Sequence, residues 1–418
     1  MTDILKVGTG KAEITPSNKI LPMPFFFIFS MDEAIDPIHV RVLDIESNER
    51  IVFVTFDMTF VPNPDETKKL VCSLTGLDEA HVFLSATHTH CAPTVGVIDA
   101  NTQDKKIIDW YEEIKQAIKQ AVEDAQKNKR PAKMGFGKGK SYINVNRDEL
   151  KDDGTSAIGV NFERPSDKSL NVLRFDDESG KAIAFLVNYA VHATVLNGCT
   201  VGSSIKISSD LPGVTSSMIE SKFDGAVCLW TSGAAGDQNP RQSTQFPEEN
   251  VTSFTDIKNL GEKGHLILEY LAKEHARDIL RTNKTIVCDK MQIKITAQKT
   301  TVKCAGRTPE SAKLIAAAQG ITLPPPADVE YTLRLVTLGD LAVQGISAEV
   351  VTSVGAAVME TSTLKDTLLS TQSDTYSGYV PDDWEYEHKA FEAEGATVEK
   401  GAAQPAFVKG FKDMFGKI

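Results

Sequence analysis

The sequence predicts an α/β fold with mixed β-sheets flanked by helices, and three observations carry that expectation. Short apolar, β-branched runs recur along the chain, stretches with helical spacing lie between them, and the alternation continues nearly to the end without a linker, low-complexity tract or internal repeat. Residues 51–56 (IVFVTF) and 82–85 (VFLS) lack the in–out alternation of a half-exposed strand and read as strands covered on both faces. Residues 64–74 fit a short helix between them. The clearest helix spans 103–129, where Ile107, Tyr111, Ile114, Ile118, Ala121 and Ala125 recur at spacings of three and four and Pro131 follows the end.

Further along, residues 174–177, the turn ESGK and residues 182–191 read as a hairpin. Residues 226–230 form another apolar strand, ahead of the glycine-rich loop TSGAAGDQNP. A second long helix is expected over 259–281. Residues 291–302 and 331–337 alternate as half-exposed strands, and LGD at 338–340 turns the chain into 341–346. The three prolines at 324–326 make a stiff connector. At the tail, Phe407, Phe411, Met414 or Phe415, and Ile418 share one helical face, expected to dock on the core rather than lie on a membrane surface.

The 418 residues are enough for a large core, and 41% hydrophobic with 24% charged residues is an ordinary globular composition. A formal net charge of −12 disfavours polyanions, and no basic stripe or aromatic RNA-binding motif offsets it, so nucleic acid is not an expected partner. The opening MTDILKVGTGK lacks a basic segment followed by an apolar one, and the longest strongly apolar run, 21–29, is too short to span a bilayer. Six cysteines (72, 91, 199, 228, 288 and 304) are scattered without CxxC spacing, as expected for reduced thiols in a cytoplasmic protein. Nothing in the composition specifies an oligomeric state.

Chemistry gathers where apolar strands end. His88 and His90, in SATHTHCAP, directly follow the strand at 82–85, and residues two apart in an extended segment point the same way. IAFLVNYAVHAT repeats the arrangement, ending a strand at His192. One such histidine more often reads as a hydrogen-bonded core residue; two strands ending alike shift the balance toward a shared metal site at strand carboxyl ends. The loop at 231–241 follows a third apolar strand. Its glycines permit close backbone approach, and its Asp237 could orient a ligand histidine, though a solvent-side turn has the same composition. His265 and His275 sit among Glu and Lys in a helix and read as surface residues, while His39 and His81 show no evident partner.

At these residues the chain resembles the neutral/alkaline (non-lysosomal) ceramidase family in its N-terminal catalytic domain. The resemblance runs in order along most of the chain, through VGTGKAEITP, IVFVTFDM, ATHTHCAP, INVNR, NYAVHAT, SSDLPG, GDQNP, AEVVTSVG and TYSGYVPDDWEYEHKAFEAEGA. It implies a single catalytic domain over residues 1–418. It also implies one Zn²⁺ held by His88, His192, Glu349 and Tyr379, with His90, Arg147, Asp237 and Asn239 around it. The implied activity is hydrolysis of an amide (N-acyl) bond by a metal-activated water. Arg147 would stabilise the oxyanion and His90 would pass the proton to the leaving amine. The expected partner is a small, lipid-like amide. Patterning alone singles out neither Glu349 nor Tyr379.

Three departures accompany the resemblance. The family's further C-terminal β-domain has no counterpart in this sequence, Asn239 replaces a loop serine, and Phe391 stands where the family has a later tyrosine. They leave the substrate open and motivate an alternative, a non-catalytic member that binds zinc or lipid. The apolar run LPMPFFFIF at 21–29 either lines an entrance to the site or belongs to the core. A TIM-barrel amidohydrolase also begins with H-x-H at a strand end. It needs further histidine ligands at strand ends, and His265, His275 and His388 do not supply them.

Overall fold

The strand Arg50–Phe56 lacks alternation because both of its faces are covered. Val52, Val54 and Phe56 pack against Trp110, Tyr111, Ile114 and Ile118 of the helix Lys105–Lys127. Ile51 and Phe53 pack the opposite way, against Val336, Leu338, Leu341 and Val343 of a second sheet. The computed structural model describes residues 3–25, 29–98, 102, 104–197, 200–201, 204–246 and 258–418. Part of the apolar run at 21–29, Cys199 and the expected helix start at 103 therefore lie outside the described residues.

The larger sheet has eight strands, in the order Val227–Ser232, Ala182–Tyr189, Ser169–Asp177, Arg130–Lys140, Lys6–Glu13, His39–Glu46, Arg50–Phe56 and Val82–Ala86. Its end pairs are parallel and the pairs between them antiparallel. The second sheet orders Ile295–Cys304, Val329–Leu338, Leu341–Ile346 and Asp366–Ser370. Its far face carries Thr352–Met359 and the C-terminal helix Ala403–Phe415, while Asp210–Glu220 and Gly264–Asn283 cover part of the larger sheet. The layers run helix, sheet, sheet, helix: a mixed α/β fold with several sheets flanked by helices, as expected.

Strand Ile295–Cys304 pairs with Val329–Leu338 over ten residues, so the prolines at 324–326 lie in an excursion between paired neighbours, together with the helix Glu310–Gln319. In the tail, Phe407 and Phe411 are fully buried and Phe407 meets Tyr331 edge-on, so that helix docks on the core as expected; Ile418 is exposed. Gly8 and Gly10 are required by contact: a Cβ there would lie 1.9 Å from the Ala125 carbonyl oxygen and 1.8 Å from that of Ala121. Cys72, Cys228, Cys288 and Cys304 are free thiols.

Three histidine expectations are corrected. His275 is buried, its ring lies against Tyr189 and Trp230, and its Nδ1 meets Ser141 Oγ at 2.9 Å. The reason is register: its helix turns Leu268, Leu271, Ala272, His275 and Ile279 onto one buried face. His39 lies beside Asp57, and His81 bridges Asp78 and Glu49. Both partnerships cross between chain segments or a turn that residue spacing does not reveal.

Candidate metal centre

The larger sheet curls until its edge strand Val227–Ser232 lies against Arg50–Phe56 and Val82–Ala86. That curl brings the carboxyl ends of distant strands together. His88 follows Val82–Ala86 by two residues and His192 follows Ala182–Tyr189 by three. Backbone joins the two segments directly: Thr89 bridges Ala193 in parallel fashion, and His90 N–H donates to the Ala193 carbonyl at 3.0 Å. Glu349 follows the second-sheet strand Leu341–Ile346 by three residues and pairs in register with Tyr379.

The donor atoms converge. His88 Nε2 and His192 Nε2 lie 3.1 and 3.0 Å from the same oxygen, Glu349 Oε2. His90 Nε2 is 3.2 Å from His88 Nε2, and the three imidazoles form a cluster that could hold a metal ion. The tautomers are set from behind: His88 Nδ1 meets the Thr59 carbonyl at 2.8 Å and His192 Nδ1 the Ala235 carbonyl at 2.6 Å. A carbonyl only accepts, so both Nδ1 atoms donate, and in the neutral ring each Nε2 is a bare lone pair. Two lone pairs and a carboxylate oxygen facing one another within about 3 Å repel unless a cation lies between them. The donor set therefore fits a metal, and its nitrogen and oxygen donors suit zinc.

Electrostatics agree. Burial, followed by the charge of Arg147, lowers His192 to about 4, keeping it in the neutral form that ligates. Burial above all holds His90 well below the usual imidazole range. Burial, then Glu349, raises the Tyr379 phenol. His88 itself adopts a left-handed backbone, φ 63°, held by its N–H on the Met58 carbonyl; such strain in a residue with a Cβ costs about 1–2 kcal/mol and concentrates at functional sites.

The loop after Val227–Ser232 ties these pieces together through its backbone. The Gln238 carbonyl accepts from His192 N–H, the Asp237 carbonyl from Arg147 N–H, and Gly236 N–H donates to Val350 beside Glu349. A Cβ on Gly236 would come within 3.0 Å of Val350 and Val351. The loop is buried, not a solvent-side turn. The Asp237 side chain, expected to orient a histidine, instead accepts from Asn146 Nδ2 and from the N–H and hydroxyl of Thr352; the carbonyls of Ala235 and Gln238 occupy the histidine's far side. Arg147 is buried, with Nη1 3.2 Å from Asn239 Oδ1 and Nη2 3.2 Å from the Tyr379 hydroxyl. The structure thus gathers His88, His90, His192 and Glu349, sets Arg147, Asn239 and Tyr379 together, and leaves the Asp237 carboxylate one layer behind.

Residues that sequence reasoning did not single out border the site. The Tyr376 ring lies tilted against Phe60, whose ring lies in turn against that of His88, and Glu392 pairs with Arg147. Glu349 had a usable signal, since like both histidines it follows an apolar strand within three residues.

Fold and site together define a layered α/β protein with a histidine–carboxylate centre at its strand ends. The sequence profile described as neutral/alkaline non-lysosomal ceramidase, N-terminal, matches residues 39–264, and the chain belongs to that family. Neutral ceramidase B of Dictyostelium discoideum is 30% identical over 156 residues, covering 35% of this chain and 21% of that protein. The neutral ceramidase of Pseudomonas aeruginosa is 26% identical over 254 residues, covering 56% of this chain and 37% of that protein. The chain thus matches roughly a fifth to two-fifths of these relatives' length. The crystal structure of the P. aeruginosa neutral ceramidase superposes with a TM-score of 0.72 at 17% identity, over 99% of this chain and 74% of that one, which shows the shared fold.

Proposed function

We propose that this chain is a zinc-dependent hydrolase of an N-acyl amide bond, acting as one catalytic unit over residues 1–418. The observation that carries the reading is the convergence of two bare imidazole nitrogens on one buried carboxylate oxygen, beside a buried arginine. His88, His192, Glu349 and Tyr379 would hold the metal. When bound, zinc supplies Lewis acidity that makes water nucleophilic near neutral pH and polarises an amide carbonyl. Family membership supports an amide substrate, and ceramide, after which the relatives are called, is the first to test.

The chain's own residues do the rest. Backbone carbonyls of Thr59 and Ala235 fix the ligating tautomers. His90, kept neutral by its burial, is free to take a proton from the attacking water and deliver it to the leaving nitrogen. Arg147 stays protonated: burial opposes its charge, but Glu392, Tyr379 and Glu349 together more than offset that, so it can face the negative charge that grows on the carbonyl oxygen. Half-exposed Phe391 and Tyr376 give the surroundings the apolar character a lipid-like amide requires.

A second reading, binding of metal or lipid without turnover, draws on Phe391, whose ring stands 5.9 Å from that of Tyr379 with no hydroxyl to offer. Metal analysis of the purified protein beside His88→Ala and His192→Ala, with assays on ceramide and simpler N-acyl amides, separates the two. Near-stoichiometric zinc lost in both variants, with turnover, supports the hydrolase. Zinc without turnover supports the second reading, and no zinc uptake overturns both.

A further inference from the structure

Arg147 uses one edge of its guanidinium on a single oxygen. Its Nε donates to Glu392 Oε1 at 2.6 Å, and its Nη2 lies equally close to that atom. A planar guanidinium engaged along this edge has its other donors turned the opposite way, toward Asn239 and Tyr379. Those two contacts are longer, at 3.2 Å, and their partners are neutral groups. The charged contact sets the orientation and the neutral ones follow it. His90 and His192 both feel the charge so placed.

Glu392 is fully buried and comes from the short helix Phe391–Gly395, 245 residues away in sequence. Behind it stand Asp148 and Glu385, also buried, with one oxygen of each of the three acids within 4.8 Å of the others. Glu392 Oε2 is buried and meets no hydrogen-bond donor among the described residues, and Asp148 Oδ2 is buried with Arg164 Nε beyond hydrogen-bonding geometry at 3.5 Å. Two such acceptors side by side are satisfied when one carries a proton and gives it to the other. Burial and then Glu392 push Asp148 up to about 8, and burial and then Asp237 raise Glu385 well above the carboxylate range. The far side of the trio is closed by Arg164, at 3.1 Å from Asp382, 3.4 Å from Glu385 and 3.5 Å from Asp148. With a guanidinium on each side and a proton shared among its carboxyls, the trio reads as a buttress, not as a second metal site.

We propose that Glu392 is a positioning residue: its carboxylate, backed by Asp148 and Glu385, locks the Arg147 guanidinium with one edge toward Tyr379 and Asn239. For its kinetic consequence the proposal rests on the hydrolase reading; for its structural content it does not.

The test compares wild type, Glu392→Gln and Glu392→Asp by three readouts: zinc content, kcat and KM on an N-acyl amide, and the arginine Nε–H resonances of ¹⁵N-labelled protein. The Arg147 signal is assigned by its absence in Arg147→Lys. Glu392→Gln should keep its zinc, lose the slowly exchanging Arg147 Nε–H, and fall roughly 100-fold in kcat with KM little changed, the scale of losing one oxyanion-stabilising donor. Glu392→Asp should restore part of both. A resonance and kcat unchanged in Glu392→Gln overturn the proposal, and so does a variant that is merely less stable but turns over normally per bound zinc. If Glu392→Gln does not fold, Glu392→Asp decides: a full wild-type resonance and kcat despite the shorter side chain overturns the proposal. If wild type hydrolyses no amide, the hydrolase reading fails and the resonance alone settles the role of Glu392.

Discussion

Removing the metal should cost stability in proportion to how tightly it is held, and only while His88 and His192 are intact. Both imidazoles aim a bare Nε2 at Glu349 Oε2 from 3.1 and 3.0 Å, so the folded chain offers a preformed cation site that the unfolded chain lacks. A ligand that binds only the native state adds RT ln(1 + [L]/Kd), about 4 kcal/mol at a thousandfold excess over Kd. At roughly 2.1 cal/mol/K per residue, unfolding 418 residues carries about 0.9 kcal/mol/K, so that stabilisation corresponds to a rise of about 4–5 °C in Tm. The assay is scanning calorimetry of chelator-treated protein with and without added zinc. In His88→Ala and His192→Ala the zinc-dependent shift should vanish, whatever the variants' own baseline. A wild type indifferent to zinc refutes the reasoning. A shift preserved in His88→Ala but lost in Glu385→Gln would move the metal to the acidic trio.

Arg147→Ala strands Glu392 as a buried, unpaired charge, so it should destabilise by about 3–5 kcal/mol in denaturant melts and lower kcat by at least 100-fold where hydrolysis is observed. An Arg147→Ala protein of wild-type stability would deny the ion pair. Asp148 is raised from 3.8 to about 8 by burial and Glu392, so the folded state holds a proton that the unfolded state has released. Its stabilising share is present below about pH 4 and fades as pH rises through about 8. Asp148→Asn, neutral throughout, should therefore gain on wild type by up to about 1.4 kcal/mol per pH unit across that window; a difference constant with pH refutes it. Gly10→Ala should cost about 1–3 kcal/mol by driving a methyl against the Ala121 carbonyl, read as a lower urea midpoint, and an unchanged midpoint would mean that the helix Lys105–Lys127 does not lie so close.

Much of this architecture is legible in one dimension because its causes are local. Of the six residues its spacing marks, the helix Lys105–Lys127 buries Tyr111, Ile114, Ile118, Ala121 and Ala125 and leaves Ile107 half-buried, and residues 51–56 lack alternation because two layers cover them. His88 and His192 stand out because strand ends recur as sites. What spacing does not show is long-range. His275 is surrounded by charged neighbours in sequence and still faces inward, since helical register, not composition, decides its direction. Glu392, Glu385 and Asp148 look like three more acids on an acidic chain, and only the folded contact, across 245 residues between Arg147 and Glu392, separates them from the solvated ones.

The groups that orient the centre explain why it is half visible in sequence. Behind His88 stands the carbonyl of Thr59, behind His192 those of Ala235 and Gln238, and behind Arg147 that of Asp237. Every residue has a carbonyl, so these positions carry no side-chain signature, and the pattern that betrays them is backbone geometry: glycines where the chain must pass closely, and a histidine held at φ 63°. Asp237 is the instructive case. Its place in a glycine-rich loop after a strand invites a catalytic role for the carboxylate, yet it is the carbonyl of Asp237 that supports Arg147, while the side chain anchors Asn146 and Thr352. A loop can be indispensable to a site through its path alone, and its acidic side chain then serves to hold that path.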